Sequence, residues 1–130
     1  MGHLGLTPQS INKFGSYRAR GTKPDEAEKI IQEASRLDAA GVFAIVLEKI
    51  PAELAKQITE NISVPTIGIG AGKYCDGQIL VYSDMLGISV DFNPRFVRRY
   101  ATLYDTIKNA VIHYSKDVVD SNFPNDNESY

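Results

Sequence analysis

The sequence predicts an α/β fold built on a parallel sheet. Short apolar runs alternate with segments of helical periodicity, and the connections between them are short. One unbroken apolar run, residues 42–47, is typical of a strand buried on both faces of a parallel sheet. About four strand positions occur in the 130 residues. Four strands suit either a small open sheet or half of an eight-stranded barrel, and periodicity alone leaves both open.

The first strand is predicted in residues 2–6, which lead into a helix start. Thr7 is an acceptable N-cap, and Pro8 suits the first helical position because its missing N–H is not needed there. Residues 14–23 contain two glycines and several basic residues, which predicts a polar loop.

The clearest predicted helix begins at Pro24, with Asp25 and Glu26 in its first turn, where carboxylates favour the helix dipole. Gly41 is the predicted C-terminal stop. The residues at helical spacing that mark the buried stripe are Ala27, Ile30, Ile31, Ala34, Leu37 and Ala40.

The second strand, residues 42–47, ends at Glu48, and a second helix is predicted to begin at Pro51. Residues 64–69 form the third predicted strand, and residues 79–86 the fourth. A long helix is then predicted from Asn93, with a break near Thr102, and residues 122–130 are predicted to fray.

Composition excludes several classes of protein. The net charge of -2 gives no electrostatic reason to expect binding to nucleic acid or to an anionic membrane surface. No apolar run approaches the roughly 18 residues of a membrane span, and the N-terminus lacks the pattern of a signal peptide. Cys75 is the single cysteine, so no internal disulfide can form, and a reducing, cytoplasmic setting is expected.

Glu48 is the leading candidate for chemistry. Ligands of parallel α/β folds meet the carboxyl ends of the strands, and Glu48 directly follows an apolar strand. A partly desolvated carboxylate in that place is suited to general acid or base catalysis. The alternative is a structural role, in which Glu48 caps the next turn or pairs with Lys49 or Lys56.

Three further residues stand at predicted strand ends. His3 can donate a hydrogen bond to a substrate or carry a proton, or it can be a solvated terminal histidine. Gly70 and Gly72 permit a tight turn and close approach of the backbone to a ligand or a neighbouring strand. Their spacing matches neither a Walker A loop nor a dinucleotide fingerprint, and no metal-binding motif is present, so the sequence alone favours a metal-free chain.

Four strings of sequence occur together in one order. They are GHLGLTPQS at residues 2–10, LE at 47–48 followed by PAELA at 51–55, GIGAG at 68–72 with DGQILV at 76–81 and DMLG at 84–87, and PRFVRRY at 94–100. Together they resemble the ketopantoate hydroxymethyltransferase family, and the resemblance covers residues 2–130.

The resemblance implies a fold and a reaction. The fold is the C-terminal half of a (β/α)8 TIM barrel, with residues 1–130 as a single partial domain. The reaction transfers a hydroxymethyl group from 5,10-methylenetetrahydrofolate to 3-methyl-2-oxobutanoate, giving ketopantoate (2-dehydropantoate) for pantothenate and coenzyme A synthesis. In this family Mg²⁺ chelates the keto acid, and a nearby carboxylate accepts the proton from C3.

By motif position, the resemblance implies that Glu48 is the proton acceptor and that His3 lies near the keto acid. Gly70 and Gly72 are further candidates for substrate binding, because glycines allow the backbone to approach a ligand closely. Family members are about twice as long as this chain, consistent with a complete barrel. Their metal-binding carboxylates, an Asp–Ser pair and a substrate lysine belong to the N-terminal half, so no Mg²⁺ ligand is expected among residues 1–130.

Three functional hypotheses remain open. The chain is half of an enzyme, active when joined to the N-terminal half and inactive alone, and the resemblance also implies a homo-oligomer. Alternatively it is a non-catalytic remnant or assembly piece without the metal-binding half. The third hypothesis is a small phosphate- or anion-binding module that uses residues 68–72.

Overall fold

The computed structural model describes residues 1–7, 18–91 and 93–130. Its elements are β1 (Gly2–Gly5), α1 (Pro24–Ala39), β2 (Ile45–Glu48), α2 (Ala52–Asn61), β3 (Thr66–Ile69), β4 (Gly77–Gln78), α3 (Tyr82–Met85), α4 (Leu103–Val119) and a 3-10 helix (Asp126–Glu128). The strands form one sheet in the order β1-β2-β3-β4, and each neighbouring pair is parallel. The prediction of an α/β fold with a parallel sheet is therefore confirmed. The helix start predicted at Pro8 lies outside the described residues.

Helices α1 and α2 supply the cover for one face of the sheet. In the register of β1 and β2, Leu4 lies opposite Leu47, and both side chains are buried. The core around them contains Ile30, Ala34, Ile45, Ile50, Leu54, Ala55, Ile58 and Ala71. Because side chains alternate along a strand, His3 and Glu48 stand on the opposite face from Leu4 and Leu47.

Strand β2 is shorter than predicted. Residues 42–47 were expected to be a strand buried on both faces, but the strand begins at Ile45 and the side chain of Phe43 is 70% exposed. The residues before it still belong to the connection from α1, since Gly41 has a φ of 78° and the amide of Val42 donates to the carbonyl of Leu37. That part of the prediction is wrong.

The fourth strand also differs from the prediction. It is Gly77–Gln78, and the segment 79–86 instead contains the short helix α3. Residues 70–76 alone connect β3 to β4, although a parallel crossover ordinarily needs a dozen or more residues and a helix. Positive φ angles at Gly70 (66°) and Gly72 (80°) allow the chain to turn this tightly.

Polar side chains hold this short crossover in place. The carboxylate of Asp76 accepts hydrogen bonds from the backbone N–H of Thr66 (2.8 Å) and from its hydroxyl (3.1 Å). Thr66 is fully buried, and its hydroxyl also lies 2.8 Å from that of Thr59 on α2. The side-chain amide of Gln78 donates to the backbone carbonyl of Gly72 at 2.9 Å. These bonds give the crossover the anchoring that a helix would otherwise supply.

The chain divides into two compact units, Met1–Leu80 and Val81–Tyr130. In the second unit, residues 93–102 are not helical, and the helix begins at Leu103. The prediction that a helix begins at Asn93 is therefore wrong, whereas its continuation after Thr102 is confirmed. The backbone amide of Tyr100 donates a hydrogen bond to the carbonyl of Met85, and that of Leu103 donates to the carbonyl of Leu86. These two amides therefore bond to the region of α3 and not to carbonyls of a helix of their own. The single-domain prediction stays a prediction.

Two further expectations concern the end of the chain and membranes. A capping box on Asn125 begins the 3-10 helix, and every residue from 122 to 130 is exposed, while the predicted fraying stays a prediction. Within the described ranges, no helix is long and apolar enough to cross a membrane.

Candidate active site

Glu48 lies at the carboxyl end of the central part of the sheet. It is the last residue of β2, opposite Gly5 of β1 and Ile69 of β3. Its side chain is mostly buried, with only 16% of its surface exposed to solvent. A carboxylate at this position is accessible from the carboxyl ends of the strands, where parallel α/β proteins bind their substrates.

His3 is in direct contact with Glu48. The Nε2 atom of His3 lies 3.0 Å from Oε2 of Glu48, although the two residues are far apart in sequence. The histidine side chain is 35% exposed and the carboxylate is less so. The contact arises because β1 and β2 are paired and both side chains occupy the same face of the sheet. The structure thus brings together the two titratable residues that the sequence had singled out separately.

The end of β1 approaches β2 closely enough to require a glycine. Gly5 has a φ of 89°, and a Cβ at this position would lie 2.2 Å from the carbonyl oxygen of Glu48. The next amide, that of Leu6, donates to the same carbonyl at 2.9 Å. The close approach fixes the backbone of Glu48 and therefore the origin of its side chain.

The imidazole and carboxylate together form an acid–base pair. A hydrogen bond from an imidazole N–H to Oε2 orients the carboxylate, and the histidine provides a second group that can carry a proton. Of the structural alternatives for Glu48, pairing with Lys56 does not occur, because the ammonium of Lys56 lies 4.0 Å from Glu60 and the carboxylate contacts His3.

The turn that contains Gly70 and Gly72 begins beside Glu48. The amide of Lys49 donates to the carbonyl of Ile69 at 2.8 Å, so the ends of β2 and β3 are joined immediately before Gly70. Gly72 packs against α2, and a Cβ there would lie 2.4 Å from that of Ala52. This packing explains why residue 72 is a glycine. The roles of Gly70 and Gly72 in substrate binding stay predictions.

Residues 18–23, which include Arg18, Arg20 and Lys23 and are called the basic loop below, lie next to Lys49. From the sequence alone this segment is predicted only to be a polar connection. The amide of Arg20 donates to the carbonyl of Lys49 at 2.9 Å, and its guanidinium forms an ion pair with Glu26. The amide of Gly21 also donates to Glu26, at 2.8 Å. The repeated basic residues of this segment were the available signal, but only the tertiary structure places them beside the residue that follows Glu48.

The described ranges contain no group of three or more His, Cys, Asp or Glu residues positioned to hold a metal ion. The pair of His3 and Glu48 is too few ligands for a protein-held Mg²⁺, which prefers six oxygen atoms around it. Cys75 packs beside Gly68, and burial raises the pKa of its thiol, which disfavours a nucleophilic thiolate.

Comparison with known proteins gives a consistent result. The family model of ketopantoate hydroxymethyltransferase matches residues 1–126. A 3-methyl-2-oxobutanoate hydroxymethyltransferase from Prosthecochloris aestuarii is 59% identical over the whole chain, which covers 47% of that relative. Those from Salinibacter ruber and Caldicellulosiruptor saccharolyticus are 58% and 56% identical, again over the whole chain and 49% of each relative.

The chain spans about half the length of the curated relatives that it matches. A four-stranded parallel sheet with flanking helices, in a chain of that relative length, is consistent with half of a (β/α)8 barrel. By its match over almost all of its residues, the chain belongs to the ketopantoate hydroxymethyltransferase family.

Proposed function

We propose that this chain supplies the proton acceptor in the transfer of a hydroxymethyl group from 5,10-methylenetetrahydrofolate to 3-methyl-2-oxobutanoate. The observation that carries the proposal is the 3.0 Å contact between His3 and Glu48 at the carboxyl ends of adjacent strands. Family membership supports the reaction class. The other half of the active site would come from the portion of the family's sequence that this chain does not cover.

The proposed step is removal of the proton on C3 of the keto acid. The C3–H bond breaks, the proton passes to a carboxylate oxygen of Glu48, and the electron pair forms the enolate between C3 and C2. Partial burial of Glu48 keeps bulk water from competing for the same position. The enolate carbon is then the nucleophile that takes up the one-carbon unit.

His3 has a supporting role in this proposal. Its bond to Oε2 restrains the rotation of the Glu48 side chain, so that the base is in position before the substrate arrives. As a residue that acts through Glu48, it is a positioning residue, and it also has an edge exposed from which it can contact the keto acid.

The cofactor part of the proposal rests on family membership. In the family, Mg²⁺ polarises the keto acid, but the described residues of this chain do not offer a ligand set for it. We therefore expect its ligands in the N-terminal half, and each step proposed above uses only Glu48 and His3.

Two features support further expectations about the assembled protein. Helix α4 has no buried residue, and its exposed apolar side chains recur at helical spacing, as in Tyr104, Ile107 and Val111, which favours a homo-oligomer. The single Cys75 suits a reducing, cytoplasmic compartment.

The test follows exchange of deuterium into C3 of 3-methyl-2-oxobutanoate by NMR, with Mg²⁺ present. The samples are the chain alone, the chain with a separately produced N-terminal half, and the Glu48→Gln form of each. We expect exchange only in the reconstituted pair, with loss in Glu48→Gln. Exchange at an unchanged rate in the Glu48→Gln pair would remove Glu48 from the mechanism.

The competing hypothesis is a non-catalytic piece of the family's fold. It predicts no exchange in a reconstituted pair that elutes as a complex and unfolds cooperatively. The same samples therefore decide between the two hypotheses.

A further inference from the structure

A polar cleft with a volume of about 370 Å³ lies between the basic loop and the first turn of α1. The side chains that matter to its chemistry are those of Arg18, Arg20, Lys23, Asp25 and Glu26. The cleft is separate from the contact of His3 with Glu48, and nothing in the proposed proton transfer uses it.

The charges in the cleft are not balanced. Glu26 is already engaged by the guanidinium of Arg20 and by the amide of Gly21, so its charge is compensated within the loop. Arg18 and Lys23 are both exposed, and within the described part of the chain neither side chain forms an ion pair. Only the exposed Asp25 opposes them. A net positive cleft results, with two cations available to an outside anion.

The position of the cleft relates it to the candidate active site. The amide of Arg20 donates to the carbonyl of Lys49, the residue directly after Glu48. Gly21 is buried against α2, where a Cβ would lie 2.4 Å from the side chain of Leu54, so the loop is held firmly at this end of the sheet. The loop that lines the cleft therefore lies at the same, carboxyl, end of the strands as Glu48.

We infer that this cleft binds the glutamate carboxylates of the folate co-substrate, an inference that rests on the proposed function. The reacting carbon of a reduced folate is at its pterin end, and its carboxylates lie at the other end of a stiff aminobenzoyl spacer. The carboxylates must therefore be held away from Glu48 but at the same, carboxyl, end of the strands. Arg18 offers a planar fork suited to a carboxylate, and Lys23 a point charge for a second one.

The experiment titrates the ¹⁵N-labelled full chain with p-aminobenzoyl-triglutamate and with p-aminobenzoyl-monoglutamate as probes. The variants are Arg18→Ala/Lys23→Ala and the control Lys29→Ala, an exposed lysine on α1 whose partner is Glu33. Circular dichroism first checks that helix content is unchanged.

We expect amide shifts in residues 18–26, tighter binding of the triglutamate, and weakening by added salt. The double variant should bind about tenfold or more weakly, since two charge-assisted contacts are lost, while the control should bind as the parent does. Equal binding by the double variant, shifts confined to other residues, or no binding by the parent chain would each overturn the inference.

The proposed function fails or survives on a different measurement. Deuterium exchange at C3 of the keto acid needs no folate, so it is measured on the reconstituted pair independently of probe binding, with Lys29→Ala as the variant that should leave it unchanged. Exchange without probe binding sinks the carboxylate site alone. Probe binding without exchange sinks the role of Glu48 and leaves the cleft as a site for oligoglutamate.

Discussion

The two compact units of this chain differ in how much of their apolar surface is buried. Within the described residues, every buried hydrophobic side chain lies in Met1–Leu80, where α1 and α2 cover the sheet. In Val81–Tyr130, the long helix α4 buries none of its residues, although apolar side chains recur along it. The unit that carries His3 and Glu48 therefore has its own core, whereas the other leaves the apolar side chains of α4 exposed.

The largest expected effect belongs to the site of the first unit. Glu48→Gln should reduce C3 exchange in the reconstituted pair by about 10²–10⁴-fold, the usual contribution of a general base. His3→Ala should cost less, because the base remains and loses only its orienting bond. The same exchange rates measure both, and a loss in His3→Ala equal to that in Glu48→Gln would contradict a merely supporting role for the histidine.

A second pair of variants tests whether the two units differ in packing. Leu47→Ala removes a fully buried side chain from the first unit and should lower the free energy of unfolding by about 2–5 kcal/mol. Val111→Ala removes an exposed side chain from α4 and should change it by less than about 1 kcal/mol. Urea denaturation measures both. A large loss in the chain alone for Val111→Ala would mean that α4 already has a partner surface.

A glycine pair sharpens the view of the first unit. Gly72→Ala should destabilise the chain by about 1–3 kcal/mol more than Gly41→Ala. Both residues have positive φ, but a Cβ at Gly72 meets Ala52 at 2.4 Å, whereas nothing lies within 4 Å of one at Gly41. Thermal unfolding of the two variants gives the difference. Equal losses would show that the crossover can move away from α2.

The smallest effect is a dependence on pH. The backbone N–H and hydroxyl of Thr66 hold the pKa of Asp76 below its ordinary value. A lowered carboxyl pKa stabilises the fold above the unfolded value of about 3.9, and the contribution is lost as pH falls through the folded value. The difference in stability between the parent and Asp76→Asn should thus shrink as pH falls below about 4.

The control for this measurement is Asp117→Asn on the exposed surface of α4. Its difference from the parent should be smaller than that of Asp76→Asn at neutral pH. A difference for Asp76→Asn that stayed constant from pH 7 to pH 2 would contradict the assignment of the pKa shift to the bonds with Thr66.

Much of the first unit was predictable from the sequence, for physical reasons. Pro24 and the acidic first turn fix the start of α1, and the helical stripe led correctly to Ile30 and Ala34 in the core. Glu48 was identifiable because a charge directly after an apolar run must stand where a strand leaves the core. The second unit was predicted less well, since periodicity from Phe96 to Tyr100 resembled a helix, while backbone bonds to the region of α3 hold it irregular.

By itself, then, the sequence determined the parallel α/β architecture, the family and the candidate base, because local periodicity and short motifs encode them. Only the tertiary structure decided that His3 contacts Glu48, that residues 70–76 cross over without a helix, and that the loop carrying Arg18 and Lys23 lies at the same end of the sheet as Glu48. Each of these depends on strand pairing or on hydrogen bonds between residues distant in sequence, such as Arg20 with Lys49. No local pattern specifies such pairings, since they follow from how the whole core packs.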